Sequence, residues 1–325
     1  MARADILISI VQSASRGDMI SFRKAVESLV AEERAKKHNI LAERLALSLN
    51  NGVNKKTAVR PNGETSDLIF EVNPQKRFDD LIINEQILKI CQELVEEQNR
   101  ADLLRSYGLE PRNKILLAGP PGNGKTSLAE ALATHLMYPL LVIRYENLIG
   151  RYLGETASRL QKVFSYVKTR NCVLFFDEFD TIGKERGDTK ETGEIKRVVS
   201  SLLLQMDSLP SYVVVITASN HPELLDRAVW RRFQLRLELK PPDVKQIECF
   251  IELFVKRTGM NFNYSPKSLS QKLSGYNFSE VEEFCTDVVR QAVLTNKQDN
   301  ARNIVSLKLK QWQSKFGINN IKEIE

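Results

Sequence analysis

The sequence predicts an α/β fold: a parallel sheet flanked by helices, preceded by a small helical N-terminal domain and followed by a small α-helical lid. Three observations predict it. Short apolar runs at 115–118, 140–143, 173–176, 212–217 and 235–239 alternate with stretches of helical periodicity, as in strands joined by crossover helices. The first run leads straight into the glycine-rich segment 119–127 and then into a helical pattern from Leu128. Pro241-Pro242 ends the alternation, and the helix-like stretches 243–257, 279–294 and 305–316 follow.

Taken in order, residues 1–50 carry apolar residues at helical spacing: Ile6, Ile10 and Val11, then Phe22, Val26, Leu29 and Val30, then Ile40, Leu41, Leu45 and Leu49. Asp18, after Gly17, is placed to cap the second stretch. This is the expected helical N-terminal domain. Residues 51–76 hold Asn51-Gly52 and Pro61-Asn62-Gly63 in a polar context and read as a linker. Residues 77–240 form the large α/β domain and 241–325 the lid.

Composition narrows the class. A hydrophobic content of 42% with 27% charged residues suits a soluble globular protein, and no apolar run approaches the ~18 residues of a membrane span. Neither the uncharged core nor the cleavage site of a signal peptide is legible near Met1, so a cytoplasmic protein is expected. Cys91, Cys172, Cys249 and Cys285 are scattered without a C-x-x-C pair, which fits neither a zinc site nor a disulfide framework. The net charge of +6 arises from 47 basic and 41 acidic residues interleaved along the chain, a mixed solvated surface rather than a nucleic-acid face.

The segment Gly119-Pro120-Pro121-Gly122-Asn123-Gly124-Lys125-Thr126-Ser127 is G-x-x-x-x-G-K-[ST] between a strand and a helix. Its glycines permit backbone angles that turn successive N–H groups toward phosphate oxygens. The helix behind adds the positive end of its dipole. Lys125 is suited to neutralise β- and γ-phosphate charge, and the Thr126 hydroxyl to ligate Mg²⁺. A nucleoside triphosphate is the implied ligand.

The run Val173-Leu174-Phe175-Phe176 ends in Asp177-Glu178. A buried strand whose tip carries a carboxylate pair can hold Mg²⁺ through Asp177 opposite Thr126, and Glu178 can take a proton from the attacking water. No signature for a hydroxyl acceptor is visible, so the expected reaction is phosphoanhydride hydrolysis rather than kinase transfer.

These segments resemble the classical AAA ATPases from about residue 78 to 294. The stretch after Asp177-Glu178 resembles that family's segment following its magnesium-binding strand, and Leu202-Leu203-Leu204-Gln205-Met206-Asp207-Ser208 its next helix and turn, with Ser208 where Gly is usual. Val213 to Asn220 resembles the strand ending in a polar sensor, which implies that Asn220 orients the lytic water. Leu225 to Phe233 resembles the segment that supplies arginine fingers to a neighbouring subunit. Arg231 and Arg232 are adjacent, as in the katanin and spastin branch, which leaves their division of labour open.

Arg151-Tyr152-Leu153-Gly154 resembles the pore loop of substrate-threading members, with Lys184, Arg186 and Lys190 in a second loop. An exposed Tyr152 grips an extended polypeptide without matched hydrogen bonds. In the lid, Gly275-Tyr276-Asn277-Phe278-Ser279 offers no nucleotide-contacting arginine, as in the classical group, and Asp79, Asp80 and Leu81 occupy the stretch that borders the base. The resemblance implies ATP and Mg²⁺, a homo-oligomer in the form of a hexameric ring, and a protein substrate that is remodelled, unfolded or threaded. The alternative is a nucleic-acid motor or clamp-loader-like ATPase, against which the aromatic pore loop and the lack of a basic, aromatic-interleaved patch argue. The segments 31–38, 100–111 and 220–226 further resemble bacterial stand-alone AAA ATPases encoded beside subtilisin-like serine proteases in phage-defence or plasmid-incompatibility modules. No protease triad is readable in this chain, so proteolysis would belong to a partner.

Overall fold

In the computed structural model the described residues are Val11, Ala25, Val26, Ser28, Leu29 and Glu32 of the N-terminal segment, and 67–144, 153–180, 192–225, 227–295 and 301–316. The chain divides into two compact units, Met1–Asn62 and Gly63–Glu325. In the first, Ala25, Val26 and Leu29 are helical and buried, at i, i+1 and i+4 on one face.

The second unit begins with β1 (Ile69–Val72), α1 (Glu85–Asn99) and α2 (Ala101–Ser106). Then come β2 (Lys114–Ala118), α3 (Lys125–Leu136), β3 (Leu140–Ile143), α4 (Leu153–Val167), β4 (Cys172–Phe176) and α5 (Thr192–Asp207). The α/β part closes with β5 (Val213–Ser219), the short α6 (Arg227–Trp230) and β6 (Leu235–Glu238). One six-stranded sheet runs in the order β1-β3-β4-β5-β2-β6. All pairings are parallel except that of β1, which lies antiparallel on β3 with Ile69 opposite Ile143. The strand β1 lies inside the stretch 51–76 that reads as a linker; its four residues belong to the sheet.

The central strands are mostly apolar because both of their faces are covered. On one face Leu116, Leu174, Phe176, Val213 and Val215 pack with Leu160, Phe164 and Met206 of α4 and α5. On the other, Ile115, Leu117, Val173, Phe175, Val214 and Ile216 pack with Leu94 of α1 and Leu128, Ala129 and Leu132 of α3. The period-two alternation of strand side chains divides these residues between two cores. The cysteines are all free thiols, and burial pushes Cys91, Cys172 and Cys285 up to about 12.

Beyond Pro241-Pro242 the lid comprises α7 (Val244–Thr258), α8 (Pro266–Lys272), α9 (Phe278–Leu294) and α10 (Arg302–Phe316) around its own core of Ile247, Ile251, Phe254, Phe284, Val288 and Trp312. Two capping boxes start its long helices. Asp243 and Gln246 cap α7, and Asn277 and Glu280 cap α9. Gly259, at φ 68°, closes α7 in the left-handed conformation that costs glycine least.

Candidate nucleotide-hydrolysis site

The sheet order sets β4, β5 and β2 side by side, so three strand tips open onto one crevice at their carboxyl ends, where ligands of open parallel sheets bind. The crevice encloses about 260 Å³ and is lined by Pro121, Gly122 and Gly124 of the loop after β2, by residues 125–127 at the start of α3, by Asp177 and Glu178 after β4, by Asn220 after β5, and by Ser279 from the lid.

The loop after β2 is fixed by close backbone contacts. Gly119 donates its N–H to the Ser219 carbonyl at 3.2 Å. A Cβ on Gly119 would stand 2.2 Å from the Leu239 carbonyl oxygen, so only glycine fits between the tips of β2 and β6. Lys125 is 7% exposed, and its ammonium donates to the carbonyls of Gly119 at 2.6 Å and Pro120 at 2.9 Å. Burial pulls Lys125 below its ordinary range, against the opposing charges of Asp177, Asp180 and Glu178. Asn123 is buried, and neither its amide nitrogen nor its oxygen has a partner among the described residues. Ser127 accepts from the Lys76 ammonium at 2.8 Å, a lysine the sequence did not single out.

At the tip of β4, Asp177 accepts from the Thr126 hydroxyl at 3.0 Å through one carboxylate oxygen and from the Glu178 N–H at 3.0 Å through the other. Glu178 adopts φ 48°, a left-handed conformation rare for a non-glycine residue and the kind of strain found at functional sites. The Thr126 and Asp177 oxygens fit Mg²⁺. Both are hard oxygen donors facing the crevice, and 3.0 Å matches the edge of an octahedral shell, about 2.9 Å for metal–oxygen bonds of about 2.0–2.1 Å.

Asn220 follows β5, and its backbone N–H donates to the buried carboxylate of Asp180 at 3.0 Å. The lid reaches the loop directly: the Ser279 N–H donates to the Gly122 carbonyl at 3.0 Å. A Cβ on Gly122 would meet the Asn277 amide at 2.5 Å. Asp79 and Asp80 lie in a 3-10 turn whose first residue, Phe78, stacks on His135 of α3 with ring centroids 3.9 Å apart.

The crevice lining includes neither of the two adjacent arginines. Arg231 is exposed, whereas the Arg232 guanidinium pairs with Asp207 at 2.9 Å, and Asp207 also receives Lys114 at 3.0 Å. Leu153 and Gly154 are the first helical residues of α4. Tyr152, Lys184, Arg186 and Lys190 lie outside the described residues. Sequence reasoning missed Asp180, Lys76 and Ser279. Asp180 stands three residues after Asp177 and could have been sought on spacing; nothing local marks the other two.

Residues 115–241 match the family described as ATPase family associated with various cellular activities (AAA). An uncharacterized AAA family ATPase, y4kL, of Sinorhizobium fredii is 34% identical over 92% of this chain and 92% of its own length. The peroxisomal ATPase pex6 of Schizosaccharomyces pombe is 33% identical over 71% of this chain and 25% of its own. A putative 26S proteasome regulatory subunit homolog of Methanothermobacter thermautotrophicus is 32% identical over 65% of this chain and 57% of its own.

Proposed function

Because the chain belongs to the AAA family of ATPases and is an ATP hydrolase, we propose that hydrolysis takes place in the crevice between β2, β4 and β5 and drives the remodelling, unfolding or threading of a protein. What supports this site is the convergence of the three adjacent strand tips: Thr126 and Asp177 lie 3.0 Å apart with Glu178 and Asn220 on the same lining.

The loop N–H groups and the Lys125 ammonium receive the phosphates, Lys125 exchanging its two carbonyl partners for phosphate oxygens. Glu178 takes the proton of the attacking water, whose oxygen bonds to the γ-phosphorus as the bond to the β-bridging oxygen breaks. The Asn220 amide orients that water. Thr126 and Asp177 would hold Mg²⁺, which would supply neutralisation of phosphate charge. Arg231 or Arg232 of a second copy completes the site, an addition worth ~10³–10⁵ in rate where such fingers operate. The active unit is therefore a homo-oligomer, a hexameric ring, and Tyr152, Leu153 and Gly154 are the substrate-gripping residues that the resemblance implies.

The ring serves a protein rather than a nucleic acid. A subtilisin-like serine protease as the partner, in phage defence or plasmid incompatibility, rests on resemblance of the segments 31–38, 100–111 and 220–226 alone. The test is a Glu178→Gln variant, which should bind ATP, turn it over slowly and retain partners on a column. Hydrolysis at the wild-type rate would remove Glu178 as the base. ATPase stimulation by an unfolded polypeptide and not by DNA is expected; stimulation by DNA alone would replace the protein substrate with a nucleic acid.

A further inference from the structure

The β4–β5 ladder ends at the pair Phe176 and Thr217, yet the residues that face the crevice lie beyond it. Past that point the chains are joined by other bonds. The Phe179 N–H donates to the Ala218 carbonyl at 2.8 Å. Asp180, 2% exposed, then accepts from the Asn220 N–H at 3.0 Å and the Ser219 hydroxyl at 3.2 Å, through the same carboxylate oxygen. The Ser219 hydroxyl in turn accepts from the His221 N–H at 3.2 Å, so Asp180 fixes, directly or through Ser219, the three consecutive residues Ser219 to His221 at the end of β5.

The segment 177–180 is thus pinned at both ends, by Asp177 to Thr126 and by Asp180 to Asn220. Between the pins sits Glu178 at φ 48°. Strain of this kind persists only where the surroundings over-determine it. A buried carboxylate is costly to desolvate, and ladder continuation or a simple cap would serve equally well with a neutral residue. What a carboxylate adds over a neutral acceptor is a stronger, charge-assisted bond to the backbone of Asn220.

We propose that Asp180 is a positioning residue for ATP hydrolysis, clamping the tips of β4 and β5 so that Glu178 and Asn220 face one attacking water in a fixed relation. This rests on the roles proposed above for Glu178 and Asn220. Displacements of about 1 Å at such sites cost rates on the order of a hundredfold, so a clamp acts on turnover far more than on nucleotide binding.

The test is an Asp180→Asn variant, which keeps the side-chain shape and weakens the bond. At saturating ATP and magnesium its kcat should fall about tenfold or more, while the Kd of a fluorescent ADP analogue stays within about threefold. Added to Asn220→Ala, the same change should cost less than about twofold further, because the relation of Glu178 to the Asn220 amide that the clamp fixes is then already lost. A kcat within twofold of wild type, a Kd that worsens in step with kcat, or the full loss repeated in the Asn220→Ala background would each overturn the proposal. If Asp180→Asn yields no ADP-binding protein, Ser219→Ala takes its place with a smaller kcat loss and the same non-additivity, and additive losses overturn the clamp. Asn220→Ala at the wild-type rate would instead strike the reading of Asn220 itself. A slow Asn220→Ala beside a wild-type Asp180→Asn removes only the clamp.

Discussion

The Thr126 hydroxyl donates to the Asp177 carboxylate across 3.0 Å, joining residues 51 apart in sequence at the mouth of one crevice. The bond closes the gap between the start of α3 and the tip of β4 with two hard oxygens. Such a pair favours Mg²⁺ over softer metals. Thr126→Val and Asp177→Asn should therefore lower ATP affinity at least about tenfold with magnesium and leave the weaker affinity in EDTA nearly unchanged, tenfold being about 1.4 kcal/mol. Titration of a fluorescent ATP analogue in both buffers reads this; an equal loss in EDTA would mean that the pair only shapes the loop.

Glu178 holds its left-handed conformation at a stability cost of about 1 kcal/mol or more. Asn tolerates that region better than other non-glycine residues. Glu178→Asn should raise the melting temperature by about 1–3 °C while hydrolysis drops about 10²-fold or more. Glu178→Gln should show the same loss of hydrolysis without the gain in stability. If both variants melt alike, the backbone strain is not what the glutamate imposes.

Gly122 lies at φ 77° with Asn277 of the lid filling the space its Cβ would need. Gly122→Ala meets strain of about 1–2 kcal/mol from the backbone and a collision that pushes the start of α9 from the loop. Nucleotide affinity should fall. Asn277→Gly costs only a few tenths of a kcal/mol as a cap and should recover part of that affinity in the double variant. Independent, additive losses in the two singles would show that lid and loop do not meet through this contact.

How much of this was legible in the sequence follows from how local each signal is. β2, β4 and β5 announce themselves because burial on both faces makes them continuous apolar runs, and the loop 119–127 is written in contiguous residues whose types fix its geometry. β1 is legible to neither test. It is four residues long, lies in polar surroundings, and belongs to the sheet only through its edge pairing with β3. Asp180 reads as one more acidic residue in an acidic stretch, and only folding shows it buried against Asn220. The Ser279–Gly122 bond joins the lid to the loop after β2, which no periodicity reports.

Glu97 is one carboxylate on which acid stability depends. Burial pushes its carboxyl up, but hydrogen bonds and charge from Arg112 outweigh this and hold it below its ordinary 4.5. A carboxylate lowered in the folded state contributes stability above the unfolded value, and that contribution fades as pH falls through the folded one. The wild-type protein should lose more stability than Glu97→Gln as pH drops from about 5 toward 3, measured by denaturant midpoints at each pH. Parallel pH profiles would remove Glu97 from the acid limb.

Arg231 and Arg232 are separated by their partners. Arg232 is held by Asp207, which Lys114 shares, whereas Arg231 is exposed at the end of α6. Exposed ion pairs are worth about 0–1 kcal/mol, so the Asp207 pair orients the turn without spending much stability. In the ring proposed above, Arg231 is therefore the expected finger. Arg231→Ala should cut kcat about 10³-fold and leave the Kd for ADP unchanged, and Arg232→Ala should cut it less and lower the melting temperature as well. The direct check is complementation. In rings mixed from equal parts of Arg231→Ala and Glu178→Gln, each inactive alone, random assembly gives about a quarter of sites an intact Glu178 beside an intact finger. Activity near a quarter of wild type is the expected result. Silence in the mixture would place the arginine in its own subunit's chemistry, and the crevice would no longer need a second copy.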